Sequence, residues 1–369
     1  MKVVVAIDSL KGSLSSLEAG EAIKSGVLNA IPDAEVCVRP LADGGEGTVE
    51  ALALGMGGEL KTVEVTGPLG EKVNCLYGIL EESNTAILEM SGAAGITLVA
   101  DEMRNPLHTT TYGVGEVIKD AIANGCRHFI VGIGGSATND GGIGMLQALG
   151  YGMLDKDGNQ VPFGAKGIKE IVTITDDQVI PELKECSFRI ACDVTNPLCG
   201  ERGCSAVYGP QKGATPEMVK DMDAWLSDYA KLVAEKYEKA DAEYPGTGAA
   251  GGMGFACVSF LSGNLKSGID TVLDEADFDT LKENADIIIT GEGKMDSQSL
   301  MGKVPFGVAK RAKGKKVIAV VGVLDAPMDK VKEKGISEVY ETNSSHLPFE
   351  KIKMKAKQQL VQTIKYIKL

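Results

Sequence analysis

Val3-Val4-Val5-Ala6-Ile7-Asp8-Ser9-Leu10-Lys11-Gly12-Ser13-Leu14-Ser15-Ser16-Leu17-Glu18 opens the chain as a strand, a polar loop and the start of a helix. The run Val3–Ile7 is β-branched and apolar on both faces, as a parallel strand covered on two sides must be. Ser15 and Glu18 have the spacing of a capping box, and Ala19, Ala22, Ile23 and Val27 continue at helical intervals. Ala34–Val38 reads as a second strand, followed by Pro40-Leu41-Ala42-Asp43-Gly44-Gly45-Glu46-Gly47-Thr48 and a helix to about Met56. Strand, loop and helix repeated in this order begin a parallel α/β sheet.

Working outward, the texture changes after Gly57-Gly58. Leu60–Thr66, Lys72–Leu80 and Thr85–Met90 are strand-like and separated only by turns, which predicts an antiparallel meander. Helical and strand segments then mix to about Glu283, including a helix from Pro216 to about Lys239. From Ala285 the first texture returns, with strands at Asp286–Thr290, Lys316–Val321 and Ser337–Glu341 and a helix at Val304–Lys313. Ile352, Ala356, Leu360, Ile364 and Ile367 mark one face of a terminal amphipathic helix. The expected architecture is α/β: a doubly wound domain, discontinuous in sequence (1–60 plus 285–369), with an inserted α+β domain at 61–284.

Composition narrows the function. Lys plus Arg number 38 and Asp plus Glu 51, a net charge of −13, which argues against coating duplex nucleic acid or adhering to an anionic membrane. The 8 cysteines form no Cys-x-x-Cys pair, and His108, His128 and His346 are the only imidazoles, so a structural zinc site is not expected. Reduced thiols, the lack of a signal-like start and apolar runs of strand length predict a cytoplasmic protein.

Gly makes up 46 of 369 residues, and the excess clusters where strands meet helices. The clusters are Asp8–Ser13, Asp43–Thr48, Gly132–Gly142 and Thr290–Asp296. Glycines there let backbone amides approach an anion, and open α/β sheets bind ligands beyond the carboxyl ends of their strands. Gly132-x-Gly134-x-x-Ala137 superficially matches a dinucleotide fingerprint, but Gly141-Gly142 interrupts the place where its helix should begin. Neither a phosphate-loop motif nor a serine-hydrolase elbow is present. Acids, lysines, hydroxyls and glycines at strand ends are the inventory of phosphoryl transfer. Asp193, ending the strand Phe188–Cys192, and Lys212, within Gly209-Pro210-Gln211-Lys212-Gly213, extend it.

At these residues the chain resembles the bacterial type I glycerate kinase family. The resemblance rests on Asp8–Ser15, Pro40–Thr48, Gly132–Gly142, Gly209–Ala214 and Thr290–Lys294 with Asp296, Gln298 and Ser299, in family order from residue 4 to about 325. It implies ATP-dependent phosphorylation of D-glycerate with Mg²⁺, O2 being favoured over O3, on a Rossmann-like domain with an inserted second domain. Lys294 stands where an Arg is common, which keeps the charge and loses the bidentate fork. A nucleotide- or carboxylate-binding regulatory protein and an NAD-dependent dehydrogenase are the competing readings.

Physical reasoning assigns the expected roles. Asp43, Glu46 and Asp296 would hold Mg²⁺. Gly134, Gly135, Ser136 and Thr138 would present amides and hydroxyls to the nucleotide, with Lys11, Lys212 or Lys294 neutralising its charge. Asp193 would take the proton of the attacking hydroxyl, with Asp140 next in line, and Ser9, Thr195 and Asn196 would hold the substrate in a cleft between the domains.

Overall fold

The computed structural model describes residues 1–369 apart from Glu46, 344–347 and 368–369. Among the described residues the strands are β1 (Lys2–Ile7), β2 (Glu35–Pro40), β3 (Glu59–Thr66), β4 (Lys72–Leu80), β5 (Thr85–Glu89), β6 (His128–Gly132), β7 (Gly152–Leu154), β8 (Thr173–Thr175), β9 (Ser187–Ala191), β10 (Asn264–Lys266), β11 (Ile287–Met295), β12 (Lys316–Leu324) and β13 (Glu338–Glu341). The fold is mixed α/β with parallel-sheet elements. Its contacts divide the chain into a first unit, Met1–Asp43 with Glu50–Gly58 and Ile269–Leu369, and a second, Gly44–Val49 with Glu59–Gly268.

In the first unit a five-stranded parallel sheet runs in the order β13-β12-β11-β1-β2. Numbered within the unit this is 2-1-3-4-5, so the order reverses between β1 and β11. Val3 to Ile7 are all buried, as their two-faced apolarity requires. Val3, Val5 and Ile7 share one face with Ile289, Ile318 and Val320, and the helices Ser16–Ala30 and Ala356–Ile364 cover it with Ala19, Ile23, Leu360 and Ile364. The capping box forms: Ser15 Oγ accepts the Glu18 amide at 3.2 Å, and Glu18 Oε2 accepts the Ser15 amide at 2.9 Å. Gly26 is what lets the two helices approach, since a Cβ there would lie 2.7 Å from Ile364 Cβ.

Three expectations change in this unit. Residues 269–284 make their contacts here, so the chain's return begins at Ile269 rather than at 285. Thr290–Met295 is strand rather than loop, because β12 pairs alongside it from Ile287↔Lys316 to Met295↔Leu324. Gly291 permits that approach: a side chain would collide with the Val320 carbonyl. The terminal helix is two helices, Phe349–Lys353 and Ala356–Ile364, broken at Met354-Lys355.

The second unit carries a six-stranded sheet in the order β10-β9-β6-β5-β4-β3. The expected meander β3-β4-β5 is antiparallel, while β5, β6, β9 and β10 run parallel. Phe129 and Phe188, register partners on β6 and β9, stack at 4.8 Å in its core. The long helix spans Pro216–Ala234, ending five residues before the expected Lys239. The eight cysteines are free, and no helix of the described residues is long and apolar enough to cross a membrane.

The Gly26 contact is testable. Gly26→Val must push Ile364 off its seat, and overpacking of this kind costs about 1–3 kcal/mol. Urea unfolding should show a lower midpoint for the variant; an unchanged midpoint would mean that the two helices separate freely.

Candidate active site

Where the strand order reverses, the ends of β1 and β11 open a cleft of ≈ 360 Å³. The Asp8 amide donates to the Gly291 carbonyl at 3.1 Å, which carries the β1–β11 ladder one residue beyond the strand and sets Asp8 at the cleft wall. Asp8 is 7% exposed, and its Oδ1 accepts the Ser9 amide at 2.6 Å. Opposite it on β11 lies Glu292, 5% exposed, whose Oε1 has no hydrogen-bond partner among the described residues. Burial, then the nearby Asp43 charge, pushes the Asp8 carboxyl up to about 6 against the pull of the Ser9 amide and Lys11. Burial also lifts Glu292 to about 7, opposed by the Ser299 hydroxyl and reinforced by Asp8. Two buried carboxyls that repel one another, with Lys11 and Lys303 offsetting their burial only in part, favour a cation.

Lys11, Lys294 and Lys303 line the same cleft from three different elements. Lys294 Nζ lies 2.8 Å from Asp325 and 3.8 Å from Asp296. Asp296 Oδ1 accepts the amides of Gln298 at 2.9 Å and Ser299 at 3.3 Å, a turn-capping arrangement. Burial works against ionisation of Asp296, yet those amides and Lys294 outweigh it and hold the carboxyl below its ordinary value. Among the described residues no group of three or more His, Cys, Asp or Glu is arranged to hold a metal, and Glu46 lies outside them. Mg²⁺, however, usually takes only one or two protein carboxylates with waters and phosphate oxygens. Asp8 and Glu292, with an orphaned oxygen between the walls of a cleft, suit it better than Asp296, whose carboxylate caps a turn.

In the second unit the loop after β6 is pinned along its length. Lys212, 2% exposed, donates from Nζ to Ser136 Oγ at 2.7 Å and to the Thr138 carbonyl at 2.6 Å. Burial depresses its ammonium to about 8, while Cys204 and Asp140 act in the other direction. Asn139 Nδ2 donates to Ser205 Oγ at 2.9 Å, and the Gly141 amide to the Gly251 carbonyl at 2.9 Å. Asp140 is fully buried; its Oδ2 accepts both the amide and the hydroxyl of Thr111 at 2.8 Å. Burial raises its pKa even so. The helix Ile143–Ala148 starts only after Gly142, whose φ is +77°, so the glycines at 132–135 open no helix and the dinucleotide fingerprint fails.

Sequence reasoning therefore gathered two clusters. Ser9, Lys11, Asp43, Lys294 and Asp296 meet in the first unit, Ser9, Lys11, Lys294 and Asp296 on the cleft wall and Asp43 within electrostatic reach of Asp8. Ser136, Thr138 and Lys212 meet in the second, but as a buried network; only Gly134 and Gly135 of that loop are exposed. After β9, Asp193 and Thr195 are exposed, and Asp193 Oδ1 accepts the Gly268 amide at 2.8 Å. Asn196 is a loop tie rather than an open donor: Nδ2 donates to the Arg202 carbonyl at 2.7 Å and Oδ1 accepts the Tyr208 hydroxyl at 2.7 Å. Asp8, Glu292 and Lys303 were given no role from sequence. Their signal was an acid ending the first strand and a Gly-Glu-Gly inside another.

Fold and cleft together define an α/β enzyme suited to an anionic substrate with a cation. The glycerate kinase family matches residues 3–368. Glycerate kinase of Haemophilus influenzae is 49% identical over 342 residues, 92% of this chain and 90% of that one. Glycerate 2-kinase of Escherichia coli K12 is 46% identical over 347 residues, 94% and 91% of the two chains. A crystal structure named for glycerate kinase 2 of Salmonella typhimurium LT2 superposes with a TM-score of 0.89 at 43% identity, covering 99% of this chain and 96% of that one. The chain belongs to the glycerate kinase family, and these relatives favour neither the regulatory nor the dehydrogenase alternative.

The carboxyl pair makes stability depend on pH. Glu292 titrates near 7 when folded and near 4.5 when unfolded, so the folded state holds the extra proton between those values. Stability is therefore fully present below pH ~4.5 and falls as pH rises towards 7. At ~1.4 kcal/mol per pKa unit the loss is about 3 kcal/mol in metal-free protein. In chelator-treated samples, Glu292→Gln should flatten the fall seen by urea titration between the unfolded midpoint near 4.5 and the folded one near 7. An identical slope in wild type and variant would contradict the burial argument.

Proposed function

We infer that this glycerate kinase transfers the γ-phosphoryl group of ATP to the O2 hydroxyl of D-glycerate, with Mg²⁺, as a cytoplasmic enzyme. The observation that carries the chemistry is the buried Asp8–Glu292 pair facing Lys11, Lys294 and Lys303 across one cleft. Phosphoryl transfer asks a protein for positioning and charge stabilisation more than covalent chemistry, and that cleft offers both signs of charge at fixed strand ends. The relative named glycerate 2-kinase supports O2, and free thiols fit a reducing compartment. The strand order 2-1-3-4-5 and the chain's path support a Rossmann-like first unit interrupted by an α+β insert.

When bound, Mg²⁺ neutralises phosphate charge; Asp8 and Glu292 would hold it, with Asp43 adding to the negative field. Lysine ammonium groups offset the charge gathering on the leaving β-phosphate. The glycerate oxygen bonds to the γ-phosphorus as the bridging P–O bond to ADP breaks, and the hydroxyl proton passes to a carboxylate. Asp193 is the proposed acceptor: it lies two residues beyond β9, its side chain is exposed, and the Gly268 amide fixes one oxygen.

A coupled ADP-release assay with D-glycerate should show turnover, and phosphorus NMR of the product should place the phosphate on C2. A 3-phosphoglycerate signal would overturn the O2 assignment. Asp193→Asn should lower kcat by roughly 10²–10⁴ with little change in nucleotide affinity. Retention of more than about a tenth of kcat would move the role to another carboxylate.

A further inference from the structure

The segment Gly44–Val49 lies in the second unit, although Met1–Asp43 before it and Glu50–Gly58 after it belong to the first. Its seat is the carboxyl ends of the parallel strands β5, β6, β9 and β10. Gly44 packs closely there: a Cβ on it would lie 2.8 Å from the Cα of Gly268, two residues beyond β10, and 3.1 Å from the Cβ of Ala191, the last residue of β9. A Cβ on Gly132, which ends β6, would meet the Gly44 carbonyl oxygen at 2.6 Å. Within the segment Thr48 Oγ1 donates to the Gly45 carbonyl at 2.7 Å. Glu89 fastens the far end. It is the last residue of β5, pairs in register with Gly132, and its Oε1 accepts the Val49 amide at 3.1 Å. That amide belongs to the first turn of the helix Thr48–Gly55, where a helix supplies no acceptor of its own.

We propose that Glu89 is a positioning residue for phosphoryl transfer, acting through the Gly44–Val49 segment on Gly268 and hence on Asp193. Gly268 is the common member: Gly44 packs on its Cα, and its amide donates to Asp193 Oδ1 at 2.8 Å. Glu89 holds the segment down, the segment limits where Gly268 can go, and Gly268 orients one Asp193 oxygen. All of these residues belong to the second unit. The inference rests on Asp193 as the proton acceptor and goes beyond that reading by naming what aims its carboxylate. A proton acceptor must stay within hydrogen-bond reach of the hydroxyl it serves, so a shift of about 1 Å in its support costs rate more than affinity. The bond from Val49 asks only for an acceptor oxygen at position 89, which a glutamine amide also supplies.

Steady-state rates with D-glycerate and MgATP are measured on intact wild type, Glu89→Ala, Glu89→Gln, Gly132→Ala, Asp193→Asn and the combination of Glu89→Ala with Asp193→Asn. Near-UV circular dichroism establishes that each is folded. Glu89→Ala should lower kcat by roughly 10–10²-fold and leave the KM for MgATP within about twofold. Glu89→Gln restores the acceptor and should keep kcat within about threefold of wild type. Gly132→Ala presses on the Gly44 carbonyl without removing a carboxyl and should slow the enzyme in the same way, which keeps the test decisive if Glu89→Ala does not fold. The double variant should be no slower than Asp193→Asn alone, because residues that act as a unit are not additive. A Glu89→Ala enzyme of lowered stability but wild-type kcat would make Glu89 a helix cap only and overturn the proposal. So would a glutamine variant as slow as the alanine one, or losses that multiply in the double variant. Asp193→Asn reports on the proton-acceptor reading: if it is fast, that reading and this one end together, whereas a slow Asp193→Asn beside a fast Glu89→Ala ends only this one.

Discussion

The parallel pairing of β1 with β11 is the constraint on which the first unit depends. It joins Val3 to Ile287 and Val5 to Ile289, so the opening strand has no central neighbour until most of the chain has been made. Closing so long a loop costs only slightly more than closing a shorter one, since the entropy grows with the logarithm of length. The gain is a strand buried on both faces and a reversal of strand order beside it. That reversal leaves a gap at the strand ends, which is the cleft. The ladder bond from Asp8 to Gly291 then holds an acid at the rim, with Glu292 the next residue along β11.

The two units treat buried charge in opposite ways. In the second, Lys212 and Asp140 are enclosed but supplied: the lysine donates to a hydroxyl and a carbonyl, and the aspartate accepts an amide and a hydroxyl from Thr111. Bonds of this kind rigidify a loop and specify its path, although Thr138 Oγ1 and Asn139 Oδ1 in the same loop have no partner among the described residues. In the first, Asp8 and Glu292 are enclosed, and one oxygen of Glu292 has no hydrogen-bond partner among the described residues. An unsatisfied carboxyl is a standing cost to stability, and it raises the affinity of the cleft for whatever cation completes it.

The strands and the cap were legible because their signals are local. Val3–Ile7 needs both faces covered, Ser15 with Glu18 needs a helix, and three strand-like runs joined by turns need a meander. The glycine-rich segments after β1, β2 and β6 were legible as loops for the same reason. Illegible were matters of register and reach. Thr290–Met295 looked like a loop because Gly-Glu-Gly breaks strand propensity, and only the passage of Val320 beside Gly291 makes it strand. The burial of Lys212 was illegible because a lysine between glycines is usually exposed; its partners Ser136 and Thr138 lie more than seventy residues away.

The sequence by itself determined the α/β class, the parallel opening, the interruption by an antiparallel stretch and the kinase family, because periodicity, caps and ordered motifs are written in neighbouring residues. Tertiary structure alone decided which charges are buried and which are supplied with partners. Asp8 and Glu292 become a poised pair only when β11 lies against β1, and Asn196 becomes a loop tie only when Tyr208 and Arg202 fold back on it. A carboxylate's desolvation and a lysine's saturation are properties of what surrounds them, and residues distant along the chain supply those surroundings.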